Sequence, residues 1–310
     1  MSPQSTNMSR SPLDWGLFTL VTIMWAGAYA LTRVAVDKGD PSSGLPVIYV
    51  LSGRLTLGAI ALLVMMVAMK QRLPSLKNRK AWLFICLMGC VGSVAPFYLI
   101  TTAQQTVNSS LAALYTSAAP IFIALGANLF FTDERLTKWS GLGVILGFAG
   151  VVVLFGPTAI LGEGSGALVA QVLLLIATLF YSASTLLARG APRIDPIAFA
   201  AGFVSVGAVL SWPLAIMTEP EGLTVSAKHW AAVIALGLGP TAIAQGLYMI
   251  IIQRSGATFL SLTGYTIPIA SAIIGWIAFR ETQSWNALLA FVMILGGVWL
   301  ARRPANRSDR

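Results

Sequence analysis

The 310-residue chain is 56% hydrophobic and only 10% charged, where a soluble globular domain carries about 25% charged residues, so a soluble fold is excluded. Its net charge of +9 comes from twenty Lys and Arg against eleven Asp and Glu, and it needs no nucleic-acid partner, because basic clusters between apolar runs are what membrane insertion requires. With two cysteines and one histidine in the whole sequence, no residue set exists from which a Cys/His metal centre could be built, and no metal or other cofactor is expected.

A bilayer core of about 30 Å needs roughly 20 helical residues. Ten apolar runs meet that requirement, at about 15–36, 45–69, 81–104, 109–131, 139–156, 165–188, 196–217, 229–252, 256–279 and 284–301. They do not alternate apolar with polar positions, which excludes a transmembrane barrel. An all-α, polytopic fold follows. Ala28-Tyr29-Ala30 in the first run looks like a signal-peptide cleavage site, but the apolar run continues past it, and the run is expected to remain as a span. Cys86 and Cys90, four apart in the third run, are expected to pack against neighbouring helices, and His229 to anchor the mouth of the eighth.

Basic residues set the orientation. With the N-terminus inside, fifteen Lys and Arg fall in cytoplasmic segments and four in outer ones, with Arg54 inside a span. That bias places both termini in the cytoplasm and makes the protein a multi-pass component of the plasma (inner) membrane. Arg54 follows Pro46 by eight residues, roughly 12 Å along a helix, a depth that leaves snorkelling to the headgroups and a pairing or functional role both open.

PIFIALGANLFFTDE (120–134) and PIASAIIGWIAFRE (268–281) repeat one pattern at an offset of 148 at the proline and 147 at the acid. The repeat extends to SSLAALYTSAAP (109–120) over ATFLSLTGYTIP (257–268), with Trp139 over Trp285 and Gly150 over Gly296. The chain therefore divides into a tail (1–12), a first five-helix repeat (13–157), a second (163–301) and a basic tail (302–310). Because five is odd, the second copy enters the membrane from the opposite side. Inverted repeats of this kind characterise secondary transporters, in which two pseudo-equivalent halves expose a midplane site alternately to the two sides.

Trp25-Ala26-Gly27, Arg54, Ala118-Ala119-Pro120, FFTDERLT (130–137) with the glycine-rich run 139–156, and the echo FRETQSWNALLAFVMILGGVWL (279–300) together resemble the drug/metabolite transporter superfamily. Within it the chain is similar to ten-helix EamA-type exporters, and most like the aromatic amino-acid exporter YddG type. The resemblance implies a basket of ten helices around a central cavity, with the fifth and tenth spans outside it. The position matching Arg54 in the second copy lies near Phe203, so whatever Arg54 does is done once.

The runs expected to line the cavity carry Trp25, Tyr29, Tyr98, Gln104 and Tyr115 in the first half, and Tyr181, Gln245, Tyr248 and Tyr265 in the second. Rings supply apolar contact while hydroxyls and amides fix orientation, which suits a ligand with an apolar side chain and polar ends. The same residues could instead serve as interfacial anchors or inter-helix hydrogen-bonding groups. Pro120 and Pro268 each free a backbone carbonyl and are candidate hinges or static kinks. Gly143 and Gly147 form a GxxxG on the fifth span, expected to pack within a monomeric chain, with a dimer seam as the other reading.

No GxxxxGK[ST] stretch exists for a nucleotide-driven motor, and no carboxylate lies inside a span to relay protons. The expected function is export of apolar or aromatic amino acids and related metabolites by alternating access, without proton coupling. The expected partners are that small-molecule substrate and membrane lipids. A lipid-carrier or phosphorylated-metabolite flippase is the alternative, and an integral-membrane transferase would need an acid–base or metal constellation that the sequence lacks.

Overall fold

The computed structural model describes residues 11–37, 44–130, 138–160, 165–218, 226–260 and 262–301, and among them every regular element is helical. The first span is α1 (Pro12–Ala35) and the second α2 (Val47–Ala68). The third is a continuous run of α3 (Arg79–Met88), a π-helical segment (Gly89–Val94) and α4 (Ala95–Ala103). The fourth divides into α5 (Ser109–Thr116) and α6 (Ala119–Phe130), and α7 (Lys138–Ile160) is the fifth. The second half repeats this order with α8 (Ser165–Gly190), α9 (Pro196–Ile216), then α10 (Ala227–Leu236), a second π-helical segment (Gly237–Ile243) and α11 (Ala244–Leu260) as one run, then α12 (Thr263–Phe279) and α13 (Trp285–Ala301). Among the described residues, seven runs are long and apolar enough to cross a membrane, and the fifth, ninth and tenth are shorter apolar helices.

Local sequence sets the starts. The first helix opens with a capping box, in which Ser11 Oγ accepts from Asp14 N at 3.2 Å and Ser11 N donates to Asp14 Oδ2 at 3.1 Å, with Pro12 in the first turn where its missing N–H costs nothing. One sequence-level boundary moves: the helix of the eighth span continues through 253–255, where a loop was expected, as far as Leu260. Within that added turn Arg254 donates its Nε to Asp14 Oδ1 on α1 at 2.9 Å.

Contacts distant in sequence show how the chain traverses. Arg33, Ser109 and Glu281 meet at one end of the bundle, as do Asp37 and Lys228. At the other end Asp14 meets Arg254, and Gln71 Oε1 accepts from the first free amides of α9, Ile197 N at 2.9 Å and Ala198 N at 3.1 Å. Successive spans thus alternate in direction, so the two five-span halves are inverted. The carboxylate of Glu281 sits at the end opposite that at which α6 finishes; Glu134, its repeat mate, lies outside the described residues.

The same symmetry governs packing. Gly89 and Gly237 open the two π-helical segments 148 residues apart, the offset that places Pro120 on Pro268. A Cβ on Gly237 would lie 3.0 Å from the Arg54 carbonyl, and one on Gly89 would lie 2.9 Å from the Phe203 carbonyl. Each half therefore presses its π-helical segment onto the second span of the other half, α9 or α2, at matching residues. In the second segment the local sequence contributes: Pro240 lacks the N–H that would reach Leu236 O, and Thr241 Oγ1 donates to that carbonyl instead, at 2.8 Å.

The prolines of the repeated segments 120–134 and 268–281 differ in consequence. Pro120 lies just after an interruption at Ser117–Ala118, whereas Pro268 sits inside an unbroken α12. Cys86 and Cys90 are exposed on the third span, not packed inward as expected, because Ile85 and Met88 take the buried face.

The glycine pair of the fifth span packs within the chain, against α13. A Cβ on Gly297 would come within 2.5 Å of Gly143 O and 2.7 Å of Gly147 N, both backbone atoms that cannot rotate away. Gly297→Val should therefore force the two helices apart and destabilise the protein by about 1–3 kcal/mol, read as a lower midpoint in thermal unfolding of the detergent-solubilised protein. Gly16→Val, with open space around its Cβ position, is the control and should leave the midpoint almost unchanged.

Candidate functional site

Trp25 and Tyr29 are four residues apart on α1, hence on one face. Trp25 Nε1 donates to the carbonyl of Pro240 in the second π-helical segment at 3.1 Å, and its ring packs against Tyr248 of α11 with centroids 5.1 Å apart. Tyr29 lies 2.6 Å from Thr116 Oγ1 at the end of α5; since Thr116 Oγ1 donates to Ala113 O at 2.9 Å, the phenol is the donor between them. Gln104, fully buried, donates its Nε2 to Tyr29 O at 2.7 Å, while its Oε1 has no partner among the described residues. One aromatic face of α1 is thus tied to spans three, four and eight.

Arg54 does not snorkel. Its residue is 9% exposed, its Nε donates to Thr241 Oγ1 at 2.8 Å, and its guanidinium lies 3.7 Å over the ring of Phe97. Phe97 in turn meets Tyr181 of α8 edge-on, with centroids 6.4 Å apart. The phenols of Tyr29 and Tyr181 lie within electrostatic reach of this cation. Stacking on a ring face is favourable for guanidinium, and the effect grows when water is excluded.

The structure brings Trp25, Tyr29, Gln104, Tyr181 and Tyr248 to this region. Gln245 is half-buried three residues before Tyr248 on the same helix. Tyr265 packs, partly buried, on the cluster that contains Tyr115, which is itself fully buried between α5 and α8 in the apolar core. Tyr98 is 42% exposed, unlike its neighbour Phe97, and stands apart from the group. Sequence reasoning missed Phe97, Thr116, Thr241 and the Pro240 carbonyl. A proline preceded by two nearby glycines in each half, Gly89-Gly92-Pro96 and Gly237-Gly239-Pro240, was the available signal for the π-helical segments.

A second polar assembly closes one end of the bundle. The Glu281 carboxylate, on a residue 5% exposed, accepts from Ser109 N at 3.0 Å and Ser109 Oγ at 2.9 Å through Oε1, and from Ser110 N at 3.1 Å and Ser110 Oγ at 2.5 Å through Oε2. Arg33 also donates to Oε1 and lies over the Phe279 ring at 4.4 Å. A carboxylate from the ninth span therefore caps the helix start of the fourth and pairs with the end of the first. Burial pushes its carboxyl up, but the four hydrogen bonds from Ser110 and Ser109 outweigh this and hold it below the ordinary value. At the same end His229, buried, approaches Asp37 Oδ2 at 3.1 Å beside Lys228, a partnered position and not the interfacial anchor expected for it.

Among the described residues no group of three His, Cys, Asp or Glu could hold a metal ion. What the arrangement offers is an aromatic, amide-bearing and singly cationic region between two inverted halves, with a polar closure at one end. Between inverted membrane-spanning halves, these features are those of a membrane transport protein. The sequence matches the EamA-like transporter family twice, over residues 15–156 and 168–303, one match per repeat, and the chain belongs to that family. It is 26% identical to an uncharacterized transporter, YdfC, of Bacillus subtilis (strain 168) over 94% of this chain and 92% of its relative. It is 32% identical to the aromatic amino acid exporter YddG of Ancylobacter novellus over 61% of this chain and 65% of that one. A solved crystal structure with 22% identity covers 94% of this chain and 97% of its own, with a TM-score of 0.65, and supports the fold.

Proposed function

We propose that the protein exports neutral amino acids with apolar or aromatic side chains, and related small metabolites, by alternating access and without proton coupling. The observation that carries this reading is the cluster of Trp25, Tyr29, Tyr181 and Tyr248 with Gln104 and Arg54, set where the two inverted halves meet. Rings there supply apolar contact, and a few fixed polar groups orient the ligand's ends. The similarity to a relative named as an aromatic amino acid exporter supports the same substrate class. Both termini are taken to be cytoplasmic, with the Glu281 closure on the outer side, a reading supported by the distribution of basic residues.

A coupled proton would need a carboxylate or histidine inside the site. Among the described residues, Asp14, Asp37 and Glu281 are at span ends and paired with basic groups, and Asp195 precedes α9 at the surface. The test is uptake of a labelled panel into proteoliposomes of purified protein. Phenylalanine, tryptophan and leucine should enter faster than into protein-free vesicles and compete with one another. Movement of only phosphorylated compounds or lipid-linked head groups would replace this reading with a flippase or phosphate exchanger.

A further inference from the structure

Among the described residues, Arg54 is the only charged residue buried in the middle of a span, away from any carboxylate. An arginine at membrane depth is costly, by about 2.5–3.5 kcal/mol on insertion scales, and normally has an anionic or carbonyl partner. A guanidinium carries five N–H donors in a fixed planar fork. Here the Nε donor goes to Thr241 and one face is covered by Phe97. The Nη1 and Nη2 edge has no hydrogen bond among the described residues, and Arg54 appears in no ion pair there.

The pseudo-symmetry of the fold shows that the scaffold does not need this cation. Phe203 occupies the equivalent place in the second half: its carbonyl meets Gly89 of one π-helical segment as the carbonyl of Arg54 meets Gly237 of the other. Phe203 is an ordinary apolar core residue there, 8% exposed and ring-paired with Phe199 at 5.6 Å. At the 148-residue offset that relates Gly89 to Gly237, the mate of Thr241 is Ser93, 1% exposed, whose hydroxyl has no partner among the described residues. One half therefore packs the position with a phenyl ring, and the other fills it with a clamped cation.

We propose that Arg54 is a carboxylate-recognition subsite: Thr241 and Phe97 fix the guanidinium plane so that its free Nη edge takes the α-carboxylate of the transported amino acid in a two-point contact. The proposal rests on the amino-acid reading given above and assigns one end of that ligand. A carboxylate matches the spacing of the two Nη donors, and neutralising the cation as it binds supplies the charge partner that the protein withholds.

The experiment compares phenylalanine with phenylalaninamide, which keeps the ring and amine and loses the carboxylate. In wild-type protein, phenylalaninamide should compete with labelled phenylalanine at about 10- to 100-fold higher concentration, the range of a hydrogen bond to a charged group. Arg54→Gln should weaken phenylalanine by a similar factor and phenylalaninamide little, so that the preference collapses. Arg54→Lys, which keeps the charge without the fork, should recover only part of it and serves if Arg54→Gln does not yield monodisperse protein. Equal competition by the two ligands in wild type, or equal weakening of both in the variant, would overturn the subsite while leaving amino-acid transport intact. If inorganic phosphate or a phosphorylated compound competes through Arg54 and no amino acid is transported, both the subsite's ligand and the functional reading fail.

Discussion

Glu281→Ala is expected to be among the most destabilising single substitutions in the protein. It leaves Arg33, Ser109 and Ser110 facing one another with their shared acceptor gone, and removing one member of a buried ion pair costs about 3–5 kcal/mol. Thermal unfolding in detergent should show a clearly lower midpoint, and Glu281→Gln, which keeps an oxygen for the serine donors, should lose roughly half as much. The pH dependence has a definite sign. The folded carboxyl titrates below its ordinary value of 4.5, so the unfolded chain takes up the proton first on acidification. The contribution is complete above that ordinary value and is lost as pH falls through the lower folded value. Wild-type stability should therefore drop below about pH 4.5 more steeply than that of Glu281→Gln. Parallel acid profiles for the two proteins would show that the carboxylate is not held as described.

Trp25→Ala is expected to impair function more than folding. The indole donates to Pro240 O and packs on Tyr248, and loss of an aromatic anchor in a desolvated site costs about 2 kcal/mol or more, close to 30-fold in affinity. Competition of unlabelled phenylalanine for labelled ligand should weaken by about that factor. Trp25→Phe retains the ring and loses only one hydrogen bond, so a decrease of about three- to tenfold is expected. Both variants should purify at near wild-type yield. Unchanged competition in Trp25→Ala would remove the residue from the binding region.

Composition and periodicity made the membrane class legible, and the offset shared by Pro120 and Pro268 made the duplication legible, because both are written in local residue order. Much of the site was not. The partner of Glu281 is 248 residues away, and nothing near either residue announces the other; only the inverted traversal brings Arg33, Ser109 and Glu281 to one end. Arg54 remained open for the same reason, since its hydrogen-bond partner Thr241 lies 187 residues further on. The π-helical segments had a local signal in their glycines and prolines, but whether such a sequence kinks, unwinds or widens depends on the helix pressed against it. Tyr115 and Tyr98 illustrate the ambiguity of aromatic residues: the period places both on apolar helices, and packing buries one wholly and exposes the other.

The most direct test is net uptake of labelled phenylalanine into proteoliposomes with and without an imposed pH gradient. Uncoupled alternating access predicts that internal phenylalanine rises to the external concentration and no further, at a rate indifferent to the pH gradient and little affected by membrane potential, because a zwitterion carries no net charge. Accumulation above the external concentration when protons flow down their gradient would contradict it and would require a titrating group within the transport path.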